Sequence, residues 1–339
     1  MVAREVFEGP ILAIETSCDE TSAAIVQGLH VRSNVVSSQA KLHEKWGGVV
    51  PEAAARAHVE AILPVIREAL SEAGLPLRAL EAVAATNRPG LVGALSVGLS
   101  AAKMLAFALG RPLIGIHHLE GHILSPLAEH RDLPFPHVCL IVSGGHTELV
   151  EVCEPGSYQI IGMTRDDAAG EAFDKGARLL GLGYPGGHAV QEAARQGNPR
   201  RYELPRGLSG DTYDFSFSGL KTAVLRLVER EGASLSVPDA AASLQEAIVS
   251  VLSERAVRAA EELGAEALTL VGGVAANLSL RERMASGCDL AGIRFCTPSV
   301  ALCTDNAAMI GMAASWRLAR GERHGFDLNV EPNAPLSGM

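Results

Sequence analysis

No two of the six cysteines, at 18, 139, 153, 288, 296 and 303, stand in a CxxC pair. That scatter excludes a zinc ribbon and a secreted disulfide framework, and fits buried thiols in a reducing compartment. Excess positive charge is missing too: 29 Lys and Arg face 39 Asp and Glu, for a formal charge of −10. Such a surface does not hold a polyanion over its whole area, so RNA contact would need a local basic patch or another subunit. None of the glycine-rich turns at 143–147, 185–187 and 272–277 matches a Walker or Rossmann phosphate fingerprint. The opening stretch MVAREVFEGPILAIE carries acids and lacks a long apolar core, so no signal or transit peptide is expected and a cytoplasmic location is. One run invites a membrane reading: Leu91 to Gly110 has Lys103 as its only charge. It is rich in Gly, Ala and Ser, and a central lysine costs about 2.5–3.5 kcal/mol on insertion scales, so a buried helix and no membrane partner are expected.

What is present is a chain of 339 residues, 47% hydrophobic, with 35 Gly and 17 Pro. That length exceeds what one core usually serves, so two domains are expected. Alternating strand-like and helix-like stretches with many turns predict an α/β protein. Two segments repeat one idea: Ile11 to Ile25 and Val138 to Val152 each run apolar strand, polar turn, second strand. Turns of this kind can aim backbone N–H groups at an anion, and two copies suggest duplicated lobes. Between them, residues 52–73 have helical periodicity, with Ala57, Ile62, Val65 and Leu70 as the core face. Strands are predicted at 82–86, 113–117 and 267–271, and helices from about 119, over 241–263 and over 306–318. The lobe boundary is expected near 118–135, giving lobes of 1–125 and 126–339. Residues 195–213, with Pro, Gly and four arginines, read as loop.

Three groups carry chemistry. In Ile116-His-His-Leu-Glu-Gly-His122, His118 and His122 are four apart and share a helix face, where they can hold one metal ion. An isolated pair of this kind is as often a packed core pair, but Asp305 in Cys303-Thr-Asp-Asn-Ala, at a predicted strand-to-helix turn, is a third candidate. Two His and one carboxylate suit Zn²⁺ or Fe²⁺ with positions left open. The segment is not an HExxH protease site, because Glu120 lies two residues on from His118, roughly 200° around a helix. The second group is glycine-rich: Ser143-Gly-Gly-His-Thr147, Pro185-Gly-Gly187 and Gly272-Gly-Val-Ala-Ala-Asn277, each read as lying beside a strand end. A single such turn is usually only a turn; three favour a nucleotide cleft. The third is acidic, with Glu15, Asp19 and Glu20 flanking the first turn and Asp174 in Gly170-Glu-Ala-Phe-Asp-Lys175. Carboxylates there can receive ribose hydroxyls, act as bases, or hold Mg²⁺ beside a nucleotide; solvated turn acids are the plain alternative.

Taken together, IETSCDET (14–21), GGVVPEAAARAH (47–58), HHLEGH (117–122), IVSGGHTEL (141–149), DDAAGEAFDKGARLLGLGYPGG (166–187), DFSFSGLKTA (214–223), GGVAAN (272–277) and CTDNAAMI (303–310) resemble the TsaD family. The resemblance implies a two-lobed α/β fold of the actin/hexokinase/Hsp70 (ASKHA) kind, with duplicated lobes around a nucleotide cleft, a helical insertion at about 160–240, and a last helix returning to the first lobe. It implies transfer of threonylcarbamoyl from threonylcarbamoyl-AMP to N6 of the adenosine 3′ of the anticodon, in tRNAs reading codons that begin with A. Carried over, His118, His122 and Asp305 hold one Fe²⁺ or Zn²⁺ per subunit. Ile141, Val142, Ser143, Gly144, Gly145, Asp174, Gly187 and Asn277 hold the adenylate, with Ser143 or Thr21 steadying its phosphate. Asp19 or Glu20 takes the amine proton; the sequence does not choose between them. A paralogous TsaB-type subunit and a TsaE-type ATPase are the implied partners.

The chain departs from the family's T-A-G-P-G-L, having Thr86-Asn-Arg-Pro-Gly-Leu91, which adds bulk and charge at a turn. Competing readings are a nucleotide-binding subunit that works only within a complex, and a small-molecule kinase of the same fold class, which gives His118 and His122 no role. Arg195, Arg200, Arg201 and Arg206, with Lys221 behind them, form the best local basic stretch for RNA; a solvated loop is the plainer reading.

Overall fold

In the computed structural model the chain divides into two compact units: Met1–Leu133, Pro155–Ser157 and Thr304–Met339 form one, Pro134–Glu154 and Tyr158–Cys303 the other. The structure describes residues 5–336. In chain order the elements among them are β1 (Pro10–Glu15), β2 (Glu20–Gln27), β3 (His30–Ser38), α1 (Ala40–Glu44), α2 (Pro51–Ala73), β4 (Ala82–Arg88), α3 (Val92–Leu109), β5 (Leu113–His117), α4 (His118–Leu124), β6 (His137–Val142), β7 (Thr147–Glu154), β8 (Ser157–Met163), α5 (Ala169–Leu179), α6 (Gly186–Ala194), α7 (Ser218–Glu231), α8 (Val237–Glu262), β9 (Ala267–Val271), α9 (Leu278–Ala291), β10 (Arg294–Cys296), α10 (Val300–Cys303) and α11 (Ala307–Ala319).

The first unit is built on a sheet of order β3-β2-β1-β4-β5. β1 runs antiparallel to β2, with Glu15 opposite Ser22, and parallel to β4. β5 is buried along its whole length and β1 everywhere but Pro10, which is why both read as unbroken apolar runs. Helix α2 lays Ala54, His58, Ile62, Val65, Ile66, Ala69 and Ala73 on the core. The face is therefore rotated from the one predicted, with Ala57 and Leu70 only at its margins. His58 sits at its middle because both ring nitrogens are satisfied there, by the Thr21 hydroxyl at 2.7 Å and the Cys18 carbonyl at 3.0 Å. Helix α3 is long and apolar enough to cross a membrane by length and composition, yet it packs Ala94, Leu95, Gly98, Leu99, Ala102, Leu105 and Ala106 inward. α11 also belongs to this unit; an added Cβ at Gly311 would lie 2.4 Å from Val26, so the helix approaches the sheet closely there.

The second unit repeats the plan, with order β10-β9-β6-β7-β8. Its central strand β6 is antiparallel to β7 and parallel to β9, as β1 is to β2 and β4. Both sheets thus follow one topology, a three-stranded meander extended by two crossover strands, which is the duplication the paired hairpins predict. Helix α8 forms the spine of this unit's core, burying Leu244, Ile248, Val249 and Leu252 against α5, α6, α9 and β6. Each such side chain contributes on the order of 1.5–3 kcal/mol by leaving water.

Candidate functional site

The sharpest cluster lies wholly within the first unit, where β5 passes directly into α4. His117 caps α4: its Nδ1 accepts the Leu119 N–H at 3.2 Å while Nε2 faces the Ala334 carbonyl at 3.1 Å, which fixes the proton on Nε2. One turn of helix then stacks His118 and His122, their ring centroids 4.7 Å apart and their planes 89° to each other. Their Nε2 atoms meet a single oxygen of Asp305, at 3.5 and 3.1 Å. Asp305 reaches that point from the residues between α10 and α11, following a short helix and not the strand end expected.

These donors fit a metal ion. Ligand bonds of about 2.0–2.1 Å at tetrahedral angles put donor atoms about 3.3 Å apart, and all three donor atoms here lie within 4.8 Å of one another. An imidazole that ligates through Nε2 carries its proton on Nδ1, and a second group that accepts it fixes the ring. Behind His118 that acceptor is Glu15, 3.1 Å from Nδ1, with the Ser17 hydroxyl also at 3.1 Å. Glu15 itself is buried, receiving the Ser17 N–H and the Thr86 hydroxyl, each at 2.5 Å. This is the carboxylate–histidine arrangement that orients ligands behind metal centres. His122 Nδ1 is buried without a hydrogen-bond partner among the described residues. Burial alone would push His118 down, but Asp305 and Glu15 outweigh it and raise its pKa to about 9, so the spot favours positive charge. For His122 burial prevails and its pKa falls, leaving a neutral ring suited to ligation.

Glu15 reads in the sequence as one turn acid among three, beside Asp19 and Glu20; its place behind His118 is what the structure adds. A carboxylate closing an apolar strand was the available signal. Glu120, by contrast, is where helix geometry puts it, turned from the cluster and paired with Arg317 at 2.6 Å. It cannot serve a protease's catalytic water.

Asp19 and Glu20 sit at the β1–β2 turn in the same unit. Burial first, then the charges of Asp305 and Asp19, push the Glu20 carboxyl up to about 10, and the two carboxyls are hydrogen-bonded. Thr21 offers no hydroxyl to a phosphate, since it is fully buried and bonded to His58.

The departure at Asn87-Arg88 has a structural reason. Asn87 Nδ2 donates to the Asn329 carbonyl at 3.1 Å, the Asn87 carbonyl accepts the Glu331 N–H at 2.9 Å, and Arg88 lies 3.7 Å from Glu331. These side chains contact the C-terminal segment at Asn329 and Glu331.

The nucleotide-side candidates all fall in the second unit. Ile141 and Val142 are fully buried in β6, so only their backbone is available to a ligand. The turn after them is held by Ser143: its hydroxyl accepts the Gly145 and His146 N–H groups, at 3.4 and 3.1 Å. Gly272, at φ +93°, passes so close that a Cβ would stand 2.3 Å from the Val142 carbonyl oxygen. Asp174 accepts the Gly186 N–H at 2.8 Å, where Gly186 and Gly187 open α6. That pair therefore lies between two helices and not beside a strand, because the run from Ala169 is helical. Asn277 uses its side chain structurally, capping α9 through Leu280 N–H at 3.0 Å and donating to Gln245 at 2.9 Å.

Comparison with known proteins places this arrangement. Residues 30–312 match the model of the TsaD family, described as tRNA N6-adenosine threonylcarbamoyltransferase. The protein of that name from Symbiobacterium thermophilum is 55% identical over 332 residues, covering 97% of each chain. Those from Anaeromyxobacter dehalogenans and Clostridium botulinum are 52% and 50% identical, over 95% and 96% of this chain and 98% and 97% of theirs. Among solved structures, T. kodakarensis HypF matches with a TM-score of 0.62 at 17% identity, over 93% of this chain and 48% of its own. Component A of Acidaminococcus fermentans (R)-2-hydroxyglutaryl-CoA dehydratase matches at 0.56 and 15% identity, over 92% and 99%. These two share the fold alone. The chain belongs to the TsaD family, the transferases that modify N6 of adenosine in tRNA with a threonylcarbamoyl group.

Proposed function

We propose that the donor is threonylcarbamoyl-AMP, that the acceptor is the adenosine 3′ of the anticodon in tRNAs reading codons that begin with A, and that the reaction uses one Fe²⁺ or Zn²⁺ held by His118, His122 and Asp305. When bound, the cation supplies a Lewis acid that grips and polarises the threonylcarbamoyl carbonyl. The chain's own residues do the rest. Glu15 keeps His118 in the tautomer that offers Nε2. Asp19 or Glu20, neighbours at the β1–β2 turn, receives the proton of the attacking amine. In the second unit the Gly144 N–H, the one donor of the Ser143–Gly145 turn not engaged within the turn itself, faces the phosphate of the departing AMP, and the Asp174 carboxylate suits ribose hydroxyls. Ile141, Val142, Gly187 and Asn277 act through backbone and shape. An exocyclic amine is a weak nucleophile, so positioning supplies much of the acceleration.

The observation that carries this reading is the meeting of both imidazole Nε2 atoms on one Asp305 oxygen, with a buried carboxylate behind His118. The test combines the purified chain, a TsaB-type subunit, a TsaE-type ATPase, threonylcarbamoyl-AMP and unmodified tRNA, and looks for the modified nucleoside by mass. Its absence from the complete mixture would overturn the proposal. In a His118→Ala/His122→Ala variant, bound metal and transfer are expected to vanish while circular dichroism stays unchanged; stoichiometric metal in that variant would refute the ligand set.

A further inference from the structure

The second unit carries a basic pocket that the transfer chemistry does not use. A cavity of about 260 Å³ lies between α8 and the loop that precedes α7, lined by Arg206, Arg255 and Arg258, one acid, Glu254, and an apolar wall that includes Leu208 and Val251. Arg255 is 8% exposed, an unusual degree of burial for a guanidinium. It lies against the Phe215 ring, 5.6 Å from its centroid, and gives Nη2 to the Leu208 carbonyl. Arg258 gives Nη2 to the Thr212 carbonyl at 2.6 Å. Each guanidinium thus fastens the loop with one nitrogen. Another nitrogen of each is buried without a hydrogen-bond partner among the described residues: Nη1 of Arg255 and Nε of Arg258.

The carboxylates nearby do not answer this charge at hydrogen-bond distance. Glu246 pairs with Arg283 at 2.6 Å and stands 3.7 Å from Arg206. Asp214 is engaged by Arg165 at 2.8 Å, and Glu262 by the Tyr213 hydroxyl. Glu254, Asp211 and Glu262 come only to 3.8, 3.7 and 3.9 Å of Arg206, Arg258 and Arg258 in turn. Exposed pairs at that range contribute little, whereas a buried charged donor left unmatched is expensive. Burial, and then the neighbouring Arg258, push Arg255 below its ordinary pKa, the direction an added anion would reverse.

From this geometry we propose that Arg206, Arg255 and Arg258 bind a phosphate group. Guanidinium forks match phosphate oxygens in pairs, and the lining carries three such forks against one carboxylate. The volume lies below that of sites for drug-sized ligands, so the cavity takes a phosphate with a small part of what bears it. Two sources supply that chemistry: a free phosphate compound, or one phosphodiester of an RNA chain held while the reaction proceeds elsewhere. Binding is the readout, so the outcome does not depend on the transfer reaction proposed above.

The experiment titrates inorganic phosphate at constant ionic strength, then unmodified tRNA at a series of salt concentrations, into the full chain, comparing wild type with Arg206→Gln and Arg206→Gln/Arg258→Gln. Arg206 is half exposed, so its substitution is expected to leave folding intact, as a thermal melt would verify. Phosphate binding that weakens roughly tenfold or more in the double variant supports the site and names a free phosphate. Indifference to inorganic phosphate, with tRNA affinity down by a similar factor and the salt slope shallower by about one, supports it and names RNA. If the folded variants bind both ligands as wild type does, or wild type binds neither, the proposal is overturned.

Discussion

Glu15 concentrates most of the site's physics in one residue. A fully buried carboxylate is costly unless every oxygen is answered, and here two N–H or O–H donors and the His118 ring do so. Burial pushes its pKa up, but the His118 charge and hydrogen bond outweigh it, so the group stays ionised. Glu15→Gln keeps the shape and removes the charge. Metal affinity is then expected to fall about 10- to 100-fold, as at other ligand-orienting carboxylates, with the ligand set intact. A competition titration with a metal indicator would measure it, and unchanged affinity would show that His118 needs no orienting charge. The same scale explains what the sequence disclosed. The His118–His122 spacing is legible because a helix fixes it, whereas the role of Glu15 depends on a contact 103 residues away that no local pattern encodes.

Among the elements, glycine inside a helix marks close approach. α5, within the helical insertion expected at about 160–240, contains Gly170 and Gly176 at such contacts. A Cβ at Gly170 would stand 2.6 Å from the Ser143 carbonyl oxygen, against backbone that cannot easily move. β3 was missed because it alternates exposed polar residues along a sheet edge. The hairpins and α8 were legible because their burial is continuous or periodic. Gly170→Ala is therefore expected to destabilise by about 1–2 kcal/mol, overpacking exceeding the gain in helix propensity. Gly219→Ala in α7, where an added Cβ meets nothing within 4 Å, is expected to stabilise by about 0.5–1 kcal/mol. Urea midpoints of the two variants would test the contrast, and equal signs would defeat it. The start of α7 offers a pH test. Asp166 accepts the Phe217 and Ser218 N–H groups and the Ser216 and Ser218 hydroxyls. Burial raises its pKa, but these bonds together prevail and lower it to about 2. A depressed carboxylate stabilises above its unfolded pKa and loses that contribution as pH falls through the folded one. Asp166→Asn is thus expected to cost about 1 kcal/mol near neutrality, the usual worth of a helix cap, with the deficit closing between pH 4 and 2. A deficit constant across that window would rule out the charge as its source.

At the scale of the whole molecule, each unit has its own sheet and its own core, so unfolding need not follow a single two-state transition. All three candidate metal ligands belong to the first unit, as do both tryptophans, Trp46 and Trp316. Tryptophan fluorescence therefore follows the first unit alone, while far-ultraviolet circular dichroism follows both. A cation that binds only the native first unit stabilises it by RT ln(1 + [L]/Kd), about 2.7 kcal/mol at a hundredfold excess over Kd. In urea, adding Fe²⁺ or Zn²⁺ is expected to move the fluorescence transition to higher denaturant and to split the dichroism transition, leaving one part where it was. With His118→Ala/His122→Ala both probes should ignore the metal. If wild type instead shows both signals shifting together, the units unfold as one and the stabilisation is shared. If neither shifts, the two imidazoles and Asp305 hold no ion, because a native-state ligand cannot bind without raising stability.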